Sequence, residues 1–212
     1  MSIYALKGRF QDLLRPAVHG LYRIGVTANV VTVAAAVVSL LVAAAVWYCA
    51  PAQPLLYLAL PLWMLLRMAL NAIDGMLARE HGQQSVLGTY LNELADVVSD
   101  AALYLPFACI APFSGLWVGL VVFLAALSEF AGVLGSTVGA GRRYEGPMGK
   151  SDRAAVFGVL GAAVAFTGGD LSSAQPVLAA VLGWLMPIVA VLTAWSTVNR
   201  IRAGIQLAPT RS

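Results

Sequence analysis

The stretch at residues 71–96 carries most of the side chains in this chain that could do chemistry. It reads NAIDGMLAREHGQQSVLGTYLNELAD and combines acids, amides, an arginine and a histidine. The surrounding sequence is very different, since 60% of the 212 residues are hydrophobic and only 11% are charged. Charged groups in a membrane-like sequence are costly unless they face a partner or water, so they indicate function by default.

The spacing of these polar residues predicts a cation site between two helices. On a helix, Asn71 and Asp74 share one face, and Asn92 and Asp96 recur at a four-residue interval on a second helix, with Glu93 adjoining that face. Two antiparallel helices would bring these oxygens together. Carboxylate and amide oxygens suit Mg²⁺, Mn²⁺ or Ca²⁺ better than zinc.

Other acids have a structural interpretation. Arg67 and Asp100 should lie at similar depth on the same two helices, so we predict an ion pair between them. Glu129 is expected to act as a polar contact between helices. A single buried pair explains one or two acids but not the spaced set, and a cation site is favoured for Asp74 and Asp96.

The elements that must position these residues are membrane helices. An ordinary soluble domain has about 25% charged residues, more than twice the fraction found in this chain. Six apolar segments have lengths near the ~20 residues that cross a bilayer. They cover residues 29–49, 54–78, 86–109, 113–137, 153–168 and 175–199. We therefore predict an all-α integral membrane protein with six transmembrane helices.

The N-terminal residues 1–28 mix apolar residues with basic ones and predict an amphipathic helix on the membrane surface. All Lys and Arg residues except Arg67 lie in this arm, in the connections at 79–82 and 138–153, or at the C-terminal end. The positive-inside rule places both termini and the polar site in the cytoplasm, in a multi-pass protein of the cytoplasmic (inner) membrane. The predicted domains are 1–28, a catalytic membrane domain at 29–205 and a tail at 206–212.

The polar stretch resembles the signature of the CDP-alcohol phosphotransferase (CDP-alcohol phosphatidyltransferase) family, D-x2-D-G-x2-A-R-x8-G-x3-D-x3-D. Every spacing fits. The positions are Asn71, Asp74, Gly75, Ala78, Arg79, Gly88, Asn92 and Asp96. The segment TANVVT also resembles the entry motif of that family, with Asn29 and Thr32 in place and Ala28 where proline is usual.

The resemblance implies transfer of a phosphatidyl group from CDP-diacylglycerol to a small polar alcohol, with release of CMP and assistance from one or two Mg²⁺ or Mn²⁺ ions. Asp96 would be the catalytic base. The implied metal ligands are Asn71, Asp74, Asn92, Glu93 and Asp96. The implied CDP-donor contacts are Asn29, Thr32, Asp74, Gly75, Ala78, Arg79 and Gly88. Relatives are usually homodimers.

Two positions depart from the signature, because Asn71 and Asn92 stand where the family has aspartates. Two formal negative charges are thereby lost. Three interpretations remain open: a two-metal site rebuilt with Glu93, a one-metal enzyme, or a catalytically impaired relative that binds CDP-lipids.

The basic loop RRYEGPMGKSDR before the fifth segment predicts an acceptor site for a phosphorylated alcohol of the glycerol 3-phosphate type. Lys150 and Arg153 are the predicted acceptor ligands, while Arg142 and Arg143 are interpreted as topological charges. His19 and His81 have no ligand spacing and are expected on the surface or in a loop.

Other functions are weaker alternatives. A metal-dependent prenyltransferase would carry denser aspartate motifs, and a transporter would show internal repeats. No strong basic cluster indicates nucleic acid as a partner. Cys49 and Cys109 match no metal or redox spacing, and we expect them to be small buried hydrophobic residues, although a disulfide at the outer side is open.

Overall fold

The computed structural model describes residues 3–172 and 176–209, and these residues contain helices and no strand. The predicted all-α class is confirmed. Within this part of the chain the α-helices are α1 (Ile3–Arg23), α2 (Ala28–Cys49), α3 (Ala59–Glu80), α4 (Val86–Tyr104), α5 (Gly115–Thr137), α6 (Lys150–Phe166), α7 (Pro176–Gly183) and α8 (Leu185–Leu207). Short 3₁₀ helices at Pro54–Leu58 and Leu105–Cys109 precede α3 and follow α4.

Helices lie at all six predicted segments, but the count of six membrane spans is not confirmed. Four candidate spans among the described residues are long and apolar enough to cross a membrane: Ala28–Cys49, Pro54–Glu80, Gly115–Thr137 and Val177–Leu207. The other two predicted spans correspond to α4 and α6. The helix α4 contains Glu93, Asp96 and Asp100, and α6 has 17 residues and begins at Lys150.

The C-terminal boundary also differs from the prediction. The sixth segment is divided into α7 and α8, and α8 continues through residue 207, beyond the predicted end at 199. The predicted tail therefore begins inside a helix. Residues 1, 2, 175 and 210–212, which belong to predicted segments, lie outside the described residues.

Short polar contacts fix the helix starts around the signature. The hydroxyl of Ser85 accepts a hydrogen bond from the backbone N–H of Gly88 at 2.9 Å and caps α4. Gly82, with φ of +65°, allows the tight turn that separates α3 from α4. The side-chain oxygen of Gln83 accepts the N–H of Ala28 at 2.7 Å, so this turn is tied directly to the start of α2.

Packing joins the helices into one bundle. The helix α2 packs against both α3 and α4, α5 packs most extensively against α8, and α6 packs against α3. A large apolar core contains Leu103, Phe107, Val118, Phe157 and Met186, all with at most 1% exposure. A smaller cluster holds α1 on α3 and α2 through Val18, Val31, Ile73 and Leu77. The N-terminal arm thus contains the helix α1, while its amphipathic character and its placement on a membrane surface stay predictions.

Candidate active site

A cavity of about 680 Å³ lies where α2, α3 and α4 meet around the turn at 81–85. Its walls contain all seven predicted donor contacts. These are Asn29, Thr32, Asp74, Gly75, Ala78, Arg79 and Gly88. Asn71, Asn92 and Glu93 also line it. Residues that are more than 60 positions apart in the sequence therefore face one space, which the helical periodicity of the signature alone anticipated only for α3 and α4.

Asp74 is the buried acid of the cavity wall, with 5% of its surface exposed. The hydroxyl of Thr32 donates to Asp74 Oδ2 at 2.7 Å across the interface between α2 and α3. The same hydroxyl is 3.0 Å from the carbonyl oxygen of Ala28, one turn earlier in α2. The entry motif of α2 therefore orients the carboxylate of the signature.

Two glycines make room in the cavity wall. A Cβ added at Gly88 would lie 2.8 Å from the side-chain oxygen of Asn29, which is closer than real Cβ contacts allow. A Cβ added at Gly75 would lie 3.1 Å from a guanidinium nitrogen of Arg79. The glycines thus let the Asn29 amide and the Arg79 guanidinium lie close to the helix backbones.

Asp96 lies one turn beyond Asn92 on α4, and 15% of its side chain is exposed. Its Oδ1 accepts hydrogen bonds from Arg67 at 3.0 Å and from the Asn71 amide at 3.1 Å. The ammonium of Lys150, at the first position of α6, also contacts Oδ1. The predicted base therefore lies at the junction of α3, α4 and α6.

Arg67 and Asp100 form the predicted ion pair, and both are buried. The second guanidinium nitrogen of Arg67 reaches Asp96, where it also meets the backbone oxygen at 3.2 Å. A bidentate arginine can hold two acceptors in fixed geometry. Arg67 therefore positions Asp96 as well as neutralising Asp100.

A family model described as CDP-alcohol phosphatidyltransferase matches residues 25–195, which include every position of the signature. The chain belongs to this family. The predicted enzyme class, a transferase of phospholipid synthesis, is thereby confirmed. The family match gives no support to the alternative that the protein is a metal-dependent prenyltransferase.

Two curated proteins are similar to this phosphatidyltransferase over most of their length. It is 45% identical over 208 residues to the inner membrane protein YnbA of Escherichia coli, with 98% of each chain covered. It is 31% identical over 193 residues to the archaetidylinositol phosphate synthase of Aeropyrum pernix, covering 86% of this chain and 91% of that protein. Together with the four candidate spans, the likeness to an inner membrane protein identifies a multi-pass membrane protein.

The fold is also that of crystal structures of the Mycobacterium tuberculosis phosphatidylinositol phosphate synthase PgsA1. The complex with manganese and citrate gives a TM-score of 0.71 at 20% identity, covering 93% of this chain and 92% of that chain. The structure with CDP-DAG bound gives 0.67 at 20% identity, covering 93% and 96%. At this level of identity the likeness establishes the fold.

Glu93 and Arg142 form a contact that the sequence did not predict. Glu93 lines the cavity, but its carboxylate is paired with Arg142 from the loop before α6. The same arginine also reaches Glu129 Oε2 at 3.4 Å. Arg142, which sequence reasoning treated as a topological charge, therefore links the cavity wall to the centre of the bundle.

Glu129 on α5 is the centre of an arginine cluster, which we define as Glu129 with Arg142, Arg153 and Arg200. Arg153 donates to Glu129 Oε1 at 2.9 Å, and an Arg200 nitrogen lies 3.3 Å from the same oxygen. Arg153 and Arg200 are 0% and 2% exposed. The predicted polar role of Glu129 between helices agrees with these contacts. Arg153, a predicted acceptor ligand, is fully buried in this cluster.

Sequence reasoning missed Arg200 and Gln83. Arg200 donates to the backbone oxygen of Ser128 at 2.7 Å and so fixes α8 to α5. A basic residue inside an otherwise apolar helix was the available signal, but it was read as a topological charge at a helix end. No comparable signal existed for Gln83, because its bond to Ala28 depends on the turn between α3 and α4.

The remaining predictions concern residues outside the cavity. The rings of Tyr22 and His81 are stacked with centroids 3.9 Å apart, and His19 meets His81 edge-on at 5.5 Å. These contacts join α1 to the end of α3. Cys49 and Cys109 are free and exposed, so the expectation that they are buried is wrong. Both lie at the ends of their helical segments, where the apolar core does not cover them.

The family implies a divalent cation, and the donors at the cavity fit a sparse site. Asp74 and Asp96 provide carboxylates from facing helices, and Asn92 provides an amide on the cavity wall. Among the described residues, no three His, Cys, Asp or Glu side chains are grouped as a metal site. Magnesium is usually held by one or two carboxylates with substrate phosphates, so this donor set fits such an ion.

Proposed function

We propose that the protein transfers a phosphatidyl group from CDP-diacylglycerol to a small polar alcohol that carries a phosphate, releasing CMP. The observation that carries the proposal is that every signature position except Asp96 lines one cavity, and that Asp96 accepts a hydrogen bond from Asn71 of its wall. A volume of about 680 Å³ lies in the ordinary range for small-molecule sites. In support, a structural neighbour of the same fold has CDP-DAG bound.

In this proposal the donor's cytidine and diphosphate occupy the cavity. Asn29, Gly75, Ala78 and Gly88 face the nucleotide, where the glycines permit close approach. Arg79 is exposed at the cavity wall and offers a guanidinium to the donor phosphates. Thr32 holds Asp74 in place from α2.

The proposed chemical step is a displacement at the phosphorus of the phosphatidyl group. The acceptor hydroxyl oxygen forms the new P–O bond, the P–O bond to CMP breaks, and the electron pair leaves with CMP. Asp96 accepts the hydroxyl proton. The donors described above all bind Asp96 Oδ1, so Oδ2 is assigned as the basic oxygen.

Asp74 and Asp96, with the amide of Asn92, would hold Mg²⁺ or Mn²⁺. A divalent ion bound there supplies positive charge to the diphosphate and to the leaving CMP. Asn71 donates to Asp96 in the structure, so its proposed contribution is to orient that carboxylate. Glu93, paired with Arg142, keeps that arginine at the edge of the cavity.

The proposed acceptor is a phosphorylated polyol of the inositol phosphate or glycerol phosphate type. Lys150 contacts Asp96 and is the side chain we assign to the acceptor phosphate, because it combines access with nearness to the base. Arg153 donates to Glu129, which Arg142 also contacts, and so reaches the acceptor only indirectly. The relative from Aeropyrum pernix is an archaetidylinositol phosphate synthase, which supports this acceptor class.

We further propose that the site and both termini lie on the cytoplasmic side of the inner membrane, as the distribution of Lys and Arg indicates. A homodimer stays a prediction. Membrane lipids surround the bundle and deliver the donor laterally.

The experiment is CMP release by purified full-length protein given CDP-diacylglycerol, Mg²⁺ or Mn²⁺, and matched acceptors. Inositol 1-phosphate and glycerol 3-phosphate are compared with inositol, glycerol and serine. Release with a phosphorylated acceptor, abolished by chelation, is expected. Equal release with the unphosphorylated partners contradicts the acceptor class. CDP binding without release from any acceptor contradicts the reaction and favours a CDP-lipid-binding relative.

A further inference from the structure

The number of ions that the active site holds follows from how its carboxylates are already paired. Two acids remain available for a cation: Asp74 in the cavity wall, and Asp96, which is bonded to Asn71 of that wall. Asp74 Oδ2 accepts one hydrogen bond, from a neutral hydroxyl. All the described donors to Asp96 meet one of its two oxygens. Each carboxylate therefore retains an oxygen for a cation.

The two other acids near this site, Glu93 and Asp100, are each paired with an arginine. Glu93 is paired with Arg142, and Asp100 is buried against Arg67. Removing an arginine from a buried carboxylate leaves an uncompensated charge, which is strongly unfavourable. Asp100 therefore cannot replace the carboxylates that asparagine lacks at positions 71 and 92, and Glu93, whose side chain is 24% exposed, would have to release Arg142 to do so.

Charge balance gives the same result. The acids of the site are Asp74, Glu93, Asp96 and Asp100, and the cations are Arg67, Arg79, Arg142 and Lys150. Four negative charges thus face four positive ones. Before the phosphorylated acceptor binds, the diphosphate of a CDP-lipid adds two negative charges, which one divalent ion neutralises. A second ion would leave an excess of two positive charges in a partly buried site, which is costly.

We propose that this active site binds one divalent cation per chain with the donor diphosphate, on Asp74 and Asp96, and that Lys150 supplies the positive charge of a second ion. The ammonium of Lys150 already lies against Asp96 from the first residue of α6. This inference rests on the proposed function for the identity of the donor. It selects one of the interpretations that the signature leaves open.

The test is the stoichiometry of Mn²⁺ on full-length protein in detergent, measured by electron paramagnetic resonance with saturating CDP. Wild type is expected to bind one ion per chain with the spectrum of an isolated Mn²⁺. Two ions, a spin-coupled pair, or no bound ion would each overturn the proposal. Asp74→Asn is expected to lose the ion.

Matched variants test the reason for the stoichiometry. Glu93→Gln should still bind one ion, because Glu93 is held by Arg142; loss of the ion would show that Glu93 is a ligand. The double variant Asn71→Asp with Asn92→Asp should bind two coupled ions. If that variant stays at one ion, the asparagines do not set the number and the inference is wrong.

Lys150→Met tests whether the ammonium of Lys150 takes the place of a second divalent ion. Removal of a positive charge beside Asp96 should tighten Mn²⁺ binding by about tenfold at low salt. Ser151→Ala, one residue along α6 and exposed, is the control and should leave the affinity unchanged. Equal affinity in Lys150→Met and wild type would remove Lys150 from the site.

CMP release on the same preparations separates this inference from the proposed reaction. One bound Mn²⁺ without CMP release from any acceptor leaves the ion count standing and removes the reaction. CMP release with two bound ions supports the reaction and contradicts the count of one ion.

Discussion

The molecule contains two charged regions built from the same residue types, and they differ in access. At the cavity, Asp96 is 15% exposed and Lys150 is 29% exposed in their side chains, and the described donors occupy one oxygen of Asp96. In the arginine cluster, Glu129 has partners on both oxygens, and Arg153 and Arg200 are almost fully buried. The first region retains an oxygen for chemistry, while the second has none left. Access and unused bonding capacity, rather than charge, distinguish a reactive site from a structural one.

The largest expected effect separates reactivity from stability at the cavity. Asp96→Asn should lower CMP release by roughly 100- to 10,000-fold, because the variant lacks a base while keeping an oxygen for Arg67 and Lys150. The rate is measured with saturating donor and acceptor. Size-exclusion elution and helical content should match wild type. Full activity in this variant would remove Asp96 from the catalytic role.

The matching change in the arginine cluster should lower the stability of the fold rather than remove a catalytic group. Glu129→Gln leaves the buried Arg153 and Arg200 without a carboxylate, while Arg142 keeps Glu93. Breaking buried pairs costs about 3–5 kcal/mol of unfolding free energy. Denaturant unfolding in detergent measures the loss. Glu80→Gln removes a partner of the exposed Arg15 and serves as the control, with an expected change below ~1 kcal/mol. Equal stability of both variants would show that the cluster is not structural.

A smaller effect concerns the shape of the cavity. Gly88→Ala places a Cβ 2.8 Å from the Asn29 oxygen and should raise the KM for the CDP-lipid about tenfold, with a smaller change in kcat, since it disturbs donor binding. Gly119→Ala is the control, because a Cβ there meets nothing within 4 Å. A fall in kcat alone would contradict a role for Gly88 in donor binding.

The smallest effect lies in the loop between the two regions. The hydrogen bond from Arg143 lowers the pKa of the Glu145 carboxyl below its ordinary value of 4.5. A lowered folded-state pKa stabilises the protein above the unfolded value, and this contribution is lost as pH falls through the folded value. Glu145→Gln should therefore be slightly less stable than wild type at pH 7, and the difference should vanish in acid. A difference that persists below the folded pKa would contradict this origin.

The helices and the signature could be predicted because they depend on local order in the chain. Apolar segments of bilayer length gave the positions of α2 to α6 within about five residues, but not the division of the last segment into α7 and α8 or the end of α8 at residue 207. The four-residue spacing on α4 and the short turn before it placed Asp96 against Asn71 of α3 and Asn92 on the wall of the same cavity. The Arg67–Asp100 pair followed from antiparallel helices at equal depth.

Which charged residues lie at the candidate site and which lie in the arginine cluster could not be predicted in the same way. Length and hydropathy indicated six spans, whereas α4, with its three acids, and α6, with only 17 residues, are not among the candidate spans of the described residues. The burial expected for Cys49 and Cys109 was wrong, because apolar character alone does not state which face of a helix meets the core.

The sequence by itself determined the class of the protein, the order of its helices and the residues of the signature. Only the tertiary structure decided the partners: Arg142 on Glu93, Lys150 on Asp96, and Arg153 with Arg200 on Glu129. The physical reason is that helical periodicity fixes which residues share a face. The charge that each face meets depends on the packing of helices distant in the sequence, here of α8 on α5 and of α6 on α3.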